Sequence, residues 1–147
     1  MLIFKGIGLI IAFCVPSVYG FLKAYGVSKR NAKLKRFFLS ISEISECIRI
    51  ENTPKNTLFS KHFGKELLNE NYTLNTEFLK NEDITLLNEF FIGFGLKDKN
   101  SEYERTKLYL DRIKTVCENA REEKEQLCKL YSSLGVLSGL GLCIFLI

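Results

Sequence analysis

The chain has 147 residues, of which 46% are hydrophobic and 26% are charged, and its net charge is +4. This length allows one modest domain. The charge is uneven, because residues 23–36 carry six basic side chains and no acidic one, whereas residues 37–129 carry 14 basic and 17 acidic ones. A nucleic-acid-binding surface should spread its basic side chains across the folded domain. The confined basic segment therefore argues against nucleic acid as a partner.

The first 22 residues are apolar and contain a single charged side chain, Lys5. Because a bilayer-spanning helix needs about 20 residues, we predict a transmembrane anchor at residues 1–22. A cleaved signal peptide is the alternative, but Val18-Tyr19-Gly20 lacks the small-residue pattern of a cleavage site.

A basic juxtamembrane segment follows at residues 23–36 and should hold this side of the membrane in the cytoplasm. We expect its basic side chains to be solvated charges at the membrane surface rather than a specific partner site. They are Lys23, Lys29, Arg30, Lys33, Lys35 and Arg36.

Residues 37–129 are predicted to form a cytoplasmic helical bundle, because glycine and proline are scarce there and strand-type alternation is absent. Apolar residues at helical spacing define three faces. The first comprises Leu34, Phe37, Ile41, Ile44 and Ile48 and ends before Asn52-Thr53-Pro54; the second comprises Phe59, Phe63 and Leu67; the third comprises Ile84, Leu87, Phe91 and Phe94 and ends at Gly95. Phe38 and Phe90 lie off these faces, and we expect them in the core rather than exposed to a partner.

The last helix is predicted to open with a capping box at Ser101 and Glu104 and to run on into the apolar segment at residues 130–147, a second transmembrane helix. Its length would be about 70 Å. A heptad-like seam favours coiled-coil packing, with Tyr103, Thr106, Leu110, Ile113, Cys117, Ala120, Lys124, Leu127, Tyr131 and Leu134 as its members. The loop before this helix, Lys97-Asp98-Lys99, is a possible partner-binding loop. The predicted fold is all-α: a small antiparallel bundle flanked by two transmembrane helices.

Both apolar segments carry small residues at intervals of four. These are Gly8, Ala12, Pro16 and Gly20 in the first segment and Gly135 and Gly139 in the last. Such faces let helix backbones approach closely in lipid. We expect them to pack in the membrane, on each other or on partner helices.

No motif for catalysis, cofactor binding or metal binding is present in the sequence. The five cysteines show no metal-like spacing with the lone His62 and are expected to act as small buried hydrophobic residues. No nucleophile lies near His62 in sequence, so we expect a surface or partly buried histidine. Glu43, Glu46 and Glu51 are expected to be solvated. The sequence predicts a protein that is not an enzyme and has no small-molecule substrate.

Several stretches together resemble the stage III sporulation protein AB family. They are the basic-flanked anchor, Thr53-Pro54 after the helix with Glu43 and Glu46, Glu82-Asp83-Ile84 leading to Phe94-Gly95, and the run from Glu122 to Gln126 that continues into Lys129-Leu130-Tyr131-Ser132-Ser133-Leu134-Gly135-Val136-Leu137. The last stretch is the most specific. The chain departs from the family around residues 61–81, where members usually have a longer helical stretch.

The resemblance implies a subunit of the channel, or feeding tube, that links mother cell and forespore during endospore formation. Its soluble part would be similar to the helical domain of the inner-membrane platform proteins of type II secretion and type IV pili. The implied partners are other stage III sporulation A-type proteins, including a cytoplasmic ATPase, stage III sporulation protein AA. The implied place is the outer forespore membrane, with the bundle in the mother-cell cytoplasm. A membrane-embedded regulator or a holin-like channel protein is the alternative hypothesis.

Overall fold

A computed structural model of the chain describes residues 2–50, 55–64, 67–69, 73–96 and 98–146. Within these ranges the chain forms four helices, α1 (Leu2–Ile50), α2 (Lys55–His62), α3 (Asn81–Gly93) and α4 (Lys99–Leu146). The described part of the chain contains no strand, only an isolated antiparallel bridge between Leu68 and Leu74. The prediction of an all-α fold is confirmed. The predicted helix break at Asn52-Thr53-Pro54 lies outside the described residues.

Contacts divide the chain into two compact units. Met1–Lys29 and Arg121–Ile147 form the first, which we call the helix-pair unit, and Arg30–Ala120 forms the second, the bundle unit. Helices α1 and α4 each contribute to both units. These limits follow contacts, whereas the predicted limits after residues 22, 36 and 129 follow charge and hydropathy.

The core of the bundle unit is built on the predicted apolar face of α1. Leu34, Phe37, Ile41, Ile44 and Ile48 are all buried, as their spacing predicts. Aromatic rings from α1, α2, α3 and the segment after α2 close over this face, with ring centroids 5.1–6.3 Å apart. Edge-to-face and tilted pairs of this kind contribute about 0.5–1.5 kcal/mol each beyond the area they bury. The rings belong to Phe37, Phe59, Phe63, Phe90, Phe91 and Phe94.

The buried face of α3 is shifted from the predicted one. Leu87 and Phe94 are buried as expected, but the fully buried neighbours are Asp83 and Phe90, while Ile84 and Phe91 are half-buried. The placement of Phe90 in the core confirms that expectation, and Phe38 packs against the same core. The prediction failed at Asp83 because a pattern of apolar residues cannot include a carboxylate.

Asp83 is buried because it forms an ion pair with Arg30 on α1. Nε of Arg30 donates to Oδ2 of Asp83 at 2.7 Å, and Nη2 donates to Oδ1 at 2.8 Å. The backbone N–H of Lys80 also donates to Oδ2, at 3.0 Å, so the carboxylate both binds the guanidinium and caps α3. A paired, hydrogen-bonded arrangement of this kind is the condition under which two charges can be buried.

The remaining helix ends differ from the predicted ones. Helix α2 ends at His62, so Leu67 is buried outside the helix, in the segment with the isolated bridge. Helix α4 begins at Lys99, two residues before the predicted capping box. Asp98 caps it instead, since its carboxylate accepts the Ser101 N–H at 3.3 Å and its carbonyl accepts the Glu102 N–H at 2.9 Å.

The seam of α4 is confirmed along the bundle unit and is wrong at its last member, Leu134. Thr106, Ile113 and Ala120 are at most 1% exposed, as the heptad predicts. In the helix-pair unit Leu134 is exposed and the next residue, Gly135, is buried in its place. The contact face there selects small residues rather than leucine.

We expect Asp83→Asn to destabilise the chain by about 3–5 kcal/mol, because it leaves the buried Arg30 guanidinium without its counter-charge. The control is Glu46→Gln, which weakens the exposed Glu46–Arg49 pair (3.3 Å) and should cost less than about 1 kcal/mol. Denaturant unfolding of the full chain in detergent, followed by circular dichroism, measures both. Equal losses in the two variants would contradict the structural role of Asp83.

Candidate functional site

The helix-pair unit is held by a close approach of the backbones of α1 and α4. A Cβ added to Gly20 would lie 2.5 Å from the carbonyl oxygen of Tyr131, and one added to Gly135 would lie 3.1 Å from the carbonyl oxygen of Pro16. The Cα atoms of Gly20 and Gly135 therefore face each other with no room for a side chain. The structure brings together two of the small-residue positions that the sequence singled out.

Two hydrogen bonds from small polar side chains stabilise the same contact between α1 and α4. The Ser17 hydroxyl donates to the Gly135 carbonyl at 3.4 Å, and the Cys128 thiol donates to the Ala24 carbonyl at 3.4 Å. Since residue numbers rise along one helix as they fall along the other, the two helices are antiparallel here.

The other small-residue positions vary. Gly139 is buried and Pro16 is half-buried. Gly8 is exposed, and an added Cβ would meet no described atom within 4 Å. The side chain of Ala12 lies outside the described residues.

Over residues 8–22 of α1 and 130–144 of α4, the exposed large side chains of the helix-pair unit are apolar. Val18 on α1 and Leu137 on α4 are 55% and 63% exposed, while Ser17, Gly20 and Gly135 beneath them are buried. A helix pair in water normally does the reverse and places its large apolar residues at the contact. The exposed set comprises Ile10, Ile11, Val15, Val18, Tyr19, Phe21, Leu22 and Tyr25 on α1 and Leu130, Leu134, Val136, Leu137, Leu140 and Ile144 on α4.

Hydropathy alone does not mark a bilayer-crossing helix: across the described residues, no helix combines the length and apolar character that a membrane span requires.

The basic residues of segment 23–36 occupy different environments. Lys23 and Lys29 are exposed, and their ammonium groups lie 5.6 Å and 5.1 Å from the ring centroids of Tyr19 and Tyr25. Lys35 and Arg36 are exposed. Lys33 is half-buried and donates to the Glu77 carbonyl at 3.0 Å; burial lowers its pKa, and the Glu77 carboxylate opposes part of that shift.

Arg30 corrects the expectation of solvated charge. It is 9% exposed and belongs to the bundle unit, where it pairs with Asp83. Five of the six basic residues retain some exposure, but Arg30 contributes to the interior instead of the surface charge.

Arg105 forms a second charged arrangement that the sequence did not indicate. Its guanidinium donates to the carbonyls of Glu89 and Phe90, both at 3.0 Å, and to the Glu102 carboxylate at 2.9 Å. These carbonyls belong to the last turns of α3, where a cation is favoured by the helix dipole. A Cβ on Gly93 would collide with the guanidinium, so a side chain at this position would require Arg105 to shift.

The predicted partner loop is partly described. Lys97 lies outside the described residues, and Asp98 and Lys99 are exposed at the start of α4. Hydrogen bonds from the Ser101 hydroxyl and backbone lower the pKa of Asp98, so this carboxylate stays charged at neutral pH. The exposed part of the loop therefore carries one charge of each sign.

The fold places the thiol of Cys47 beside His62, and this proximity was not evident from sequence spacing. The Cys47 sulfur lies 3.6 Å from Nε2 of His62, and a Glu43 carboxylate oxygen lies 2.9 Å from Nδ1. Glu43 and Cys47 are one helical turn apart on α1, and that i, i+4 spacing is the only sequence signal that could have linked them. Cys47 and His62 are both half-buried, and the expectation of a surface or partly buried histidine is confirmed. Among the described residues no group of three or more potential ligands could hold a metal ion.

We expect Gly20→Ala to destabilise the helix pair by about 1–3 kcal/mol, because the added methyl group would collide with the Tyr131 carbonyl. Gly26→Ala, on the same helix, is the matched control: no described atom lies within 4 Å of its added Cβ. It should stabilise the helix by up to about 1 kcal/mol. Thermal unfolding of the full chain in detergent reports both, and a Gly20→Ala variant as stable as Gly26→Ala would contradict the close contact.

Comparison with known proteins gives one family. The family model of stage III sporulation protein AB matches residues 64–147. No significant match was found among curated proteins or among solved structures. The matched part holds α3 and α4 and so supplies Asp83, Arg105 and the Gly135 face. The chain belongs to the stage III sporulation protein AB family.

Proposed function

We propose that this chain is a non-enzymatic, membrane-embedded adaptor subunit of the channel between mother cell and forespore. Membership of the stage III sporulation protein AB family supports a role in sporulation. The resemblance of the sequence to that family suggests the channel and its platform as the site of action.

The observation that carries the membrane part of the proposal is the inverted distribution of side chains in the helix-pair unit. Glycine and serine occupy its helix contact, and large apolar residues cover its exterior. In water, exposed apolar groups are unfavourable by about 25 cal/mol per Å². In lipid they are well solvated, and close backbone packing through small residues is how membrane helices associate. We therefore assign residues 1–22 and 130–147 to the bilayer, as the sequence predicts.

Charge and aromatic residues suggest how the unit is positioned. Tyr19 and Tyr25 lie beside Lys23 and Lys29 on α1, and both residue types favour the interface between lipid and water. The basic segment supports a cytoplasmic location for this side. We propose the outer forespore membrane, with the bundle unit in the mother-cell cytoplasm.

The bundle unit is proposed to dock the cytoplasmic ATPase of the complex and other stage III sporulation A-type proteins. Its interior is rigid, because aromatic packing and the two arginine clusters fix α1, α3 and α4 to one another. A rigid unit on a membrane anchor acts by position: it presents a fixed surface to its partners and needs no chemistry of its own.

A flotation experiment tests the membrane proposal. The full chain, reconstituted with vesicles of phosphatidylethanolamine and phosphatidylglycerol, should float with them. Ile11→Arg together with Leu140→Arg, at two exposed residues near the middle of the assigned segments, should reduce the fraction that floats, because each charge near the bilayer centre costs about 2.5–3.5 kcal/mol. Ile92→Arg with Leu108→Arg is the control, since both residues are exposed apolar side chains of the bundle unit.

Loss of flotation in the control pair as well, or failure of the unaltered chain to float, would contradict the proposal. The same vesicles, loaded with dye, separate it from the holin-like alternative. The adaptor should leave the dye inside, whereas a holin-like protein would release it.

Charge reversal tests the partner loop. Lys97→Glu with Lys99→Glu should reduce co-purification with the sporulation ATPase at least about tenfold, a change worth about 1.4 kcal/mol. Lys107→Glu with Lys114→Glu, two exposed lysines on α4, is the matched control for net charge. Undiminished recovery with the loop variant would exclude the loop from the interface.

A further inference from the structure

The cluster of Glu43, Cys47 and His62 has the connectivity of an activated thiol. Nδ1 of His62 lies 2.9 Å from the Glu43 carboxylate. An ionised carboxylate only accepts hydrogen bonds, so Nδ1 carries the proton. Nε2 is then the basic nitrogen of the neutral ring, and it faces the Cys47 sulfur at 3.6 Å. The thiol therefore points its proton at a base whose tautomer is fixed by a third residue.

Several contacts hold this geometry in place. Glu43 and Cys47 lie one turn apart on α1, and Cys47 packs against the buried core of the bundle unit. His62 is the last residue of α2, and its carbonyl accepts a hydrogen bond from the Ser40 hydroxyl at 2.8 Å. The imidazole side chain is 11% exposed. It is thus shielded from bulk water but borders a groove.

We propose that Cys47 is a site of reversible modification by low-molecular-weight disulfides, with His62 as its base and Glu43 as the residue that orients the imidazole. The inference is independent of the proposed adaptor function. It adds a chemical property to the bundle unit and requires no catalytic turnover.

The disulfide RSSR is itself the oxidant, because it is reduced as the Cys47 thiol is oxidised. The Cys47 thiol transfers its proton to Nε2 of His62, and the thiolate attacks one sulfur of the disulfide RSSR. A sulfur–sulfur bond forms to Cys47 as the bond within RSSR breaks. The leaving thiolate takes the proton from His62 and departs as RSH, so that one disulfide and one thiol give one mixed disulfide and one thiol.

The surroundings suit a small reagent. A groove of about 310 Å³ opens beside the imidazole, and its lining includes Arg36, Ser40, Glu43, His62 and Gly64 but not Cys47. This volume is at the lower end of the range for small-molecule sites. It admits a small disulfide beside His62, whose Nε2 faces the half-buried Cys47.

Cys117 provides a contrasting thiol in the same unit. It too is half-buried, but burial and the nearby Asp83 charge raise its pKa to about 11. Almost none of it is thiolate at neutral pH, and the thiolate is the reactive form. Cys47 and Cys117 are both half-buried in the bundle unit. They differ because only Cys47 has an imidazole beside its sulfur among the contacts of the described residues.

The test is the rate of mixed-disulfide formation with bis(2-hydroxyethyl) disulfide at pH 7.5. The full chain in detergent is used, and peptide mass spectrometry assigns the modified cysteine. Cys47 should react at least about tenfold faster than Cys117. His62→Gln should slow Cys47 by at least about tenfold, since a general base typically contributes about 10²–10⁴-fold. It should also move the rise of the Cys47 rate to higher pH, which loss of packing alone would not do.

Glu43→Gln keeps a hydrogen-bond partner for Nδ1 but removes its charge, and it should slow Cys47 by a smaller factor. Glu46→Gln, an exposed neighbour on α1, should leave the rate unchanged. Circular dichroism checks that each variant keeps its helical content. If His62→Gln loses helical content, the rate of the Glu43→Gln variant, whose side chain is exposed, is used as the test instead. The inference would be overturned if Cys47 reacted no faster than Cys117, or if its rate were unchanged in the folded His62→Gln and Glu43→Gln variants.

Discussion

The helix-pair unit depends on the contact between Gly20 and Gly135, where two backbones meet without side chains between them. A Cβ added at either position would lie unusually close to backbone atoms of the opposite helix. This close approach determines which side chains of the two helices can lie at the contact and which must lie outside it. Because glycine and serine occupy the contact, the large apolar residues of both helices must face outwards. The same contact that holds the pair together therefore leaves large apolar residues outside, and this is the physical basis for the proposed membrane role.

The bundle unit is stabilised differently. Its core is aromatic, and two arginines act at defined points: Arg30 neutralises the buried Asp83, and Arg105 caps the last turns of α3. Buried ion pairs add little net stability but make wrong packings costly, because an unpaired buried charge is strongly unfavourable. The pairs fix which faces of α1, α3 and α4 meet. The proposed docking role needs a surface whose shape is already fixed before a partner binds, and unique helix packing provides such a surface.

Much of the fold could be predicted from the sequence. The apolar face of α1 and the seam of α4 up to Ala120 follow from helical spacing. The all-α fold follows from the scarcity of glycine and proline in residues 37–129 and the absence of strand-type alternation there. The failures have physical causes. Asp83 was missed because its partner is 53 residues away, and Arg30 was counted as surface charge for the same reason. Cys47 and His62 come together only through packing of α2 on α1. Leu134 was placed in the seam because a heptad rule assumes water outside the helices, and glycine packing reverses that rule.

The most direct test of this account is the environment of the outward-facing residues in the helix-pair unit. A nitroxide spin label at Val18 or at Leu137, in the full chain reconstituted into phospholipid vesicles, reports whether each position faces lipid or water. The account predicts a label that is accessible to dissolved oxygen and protected from a water-soluble nickel chelate at both positions, with the opposite result for a label at Leu108 in the bundle unit. Ready access of the nickel chelate to Val18 and Leu137 would show that these residues face water, and the assignment of the helix pair to the membrane would then be wrong.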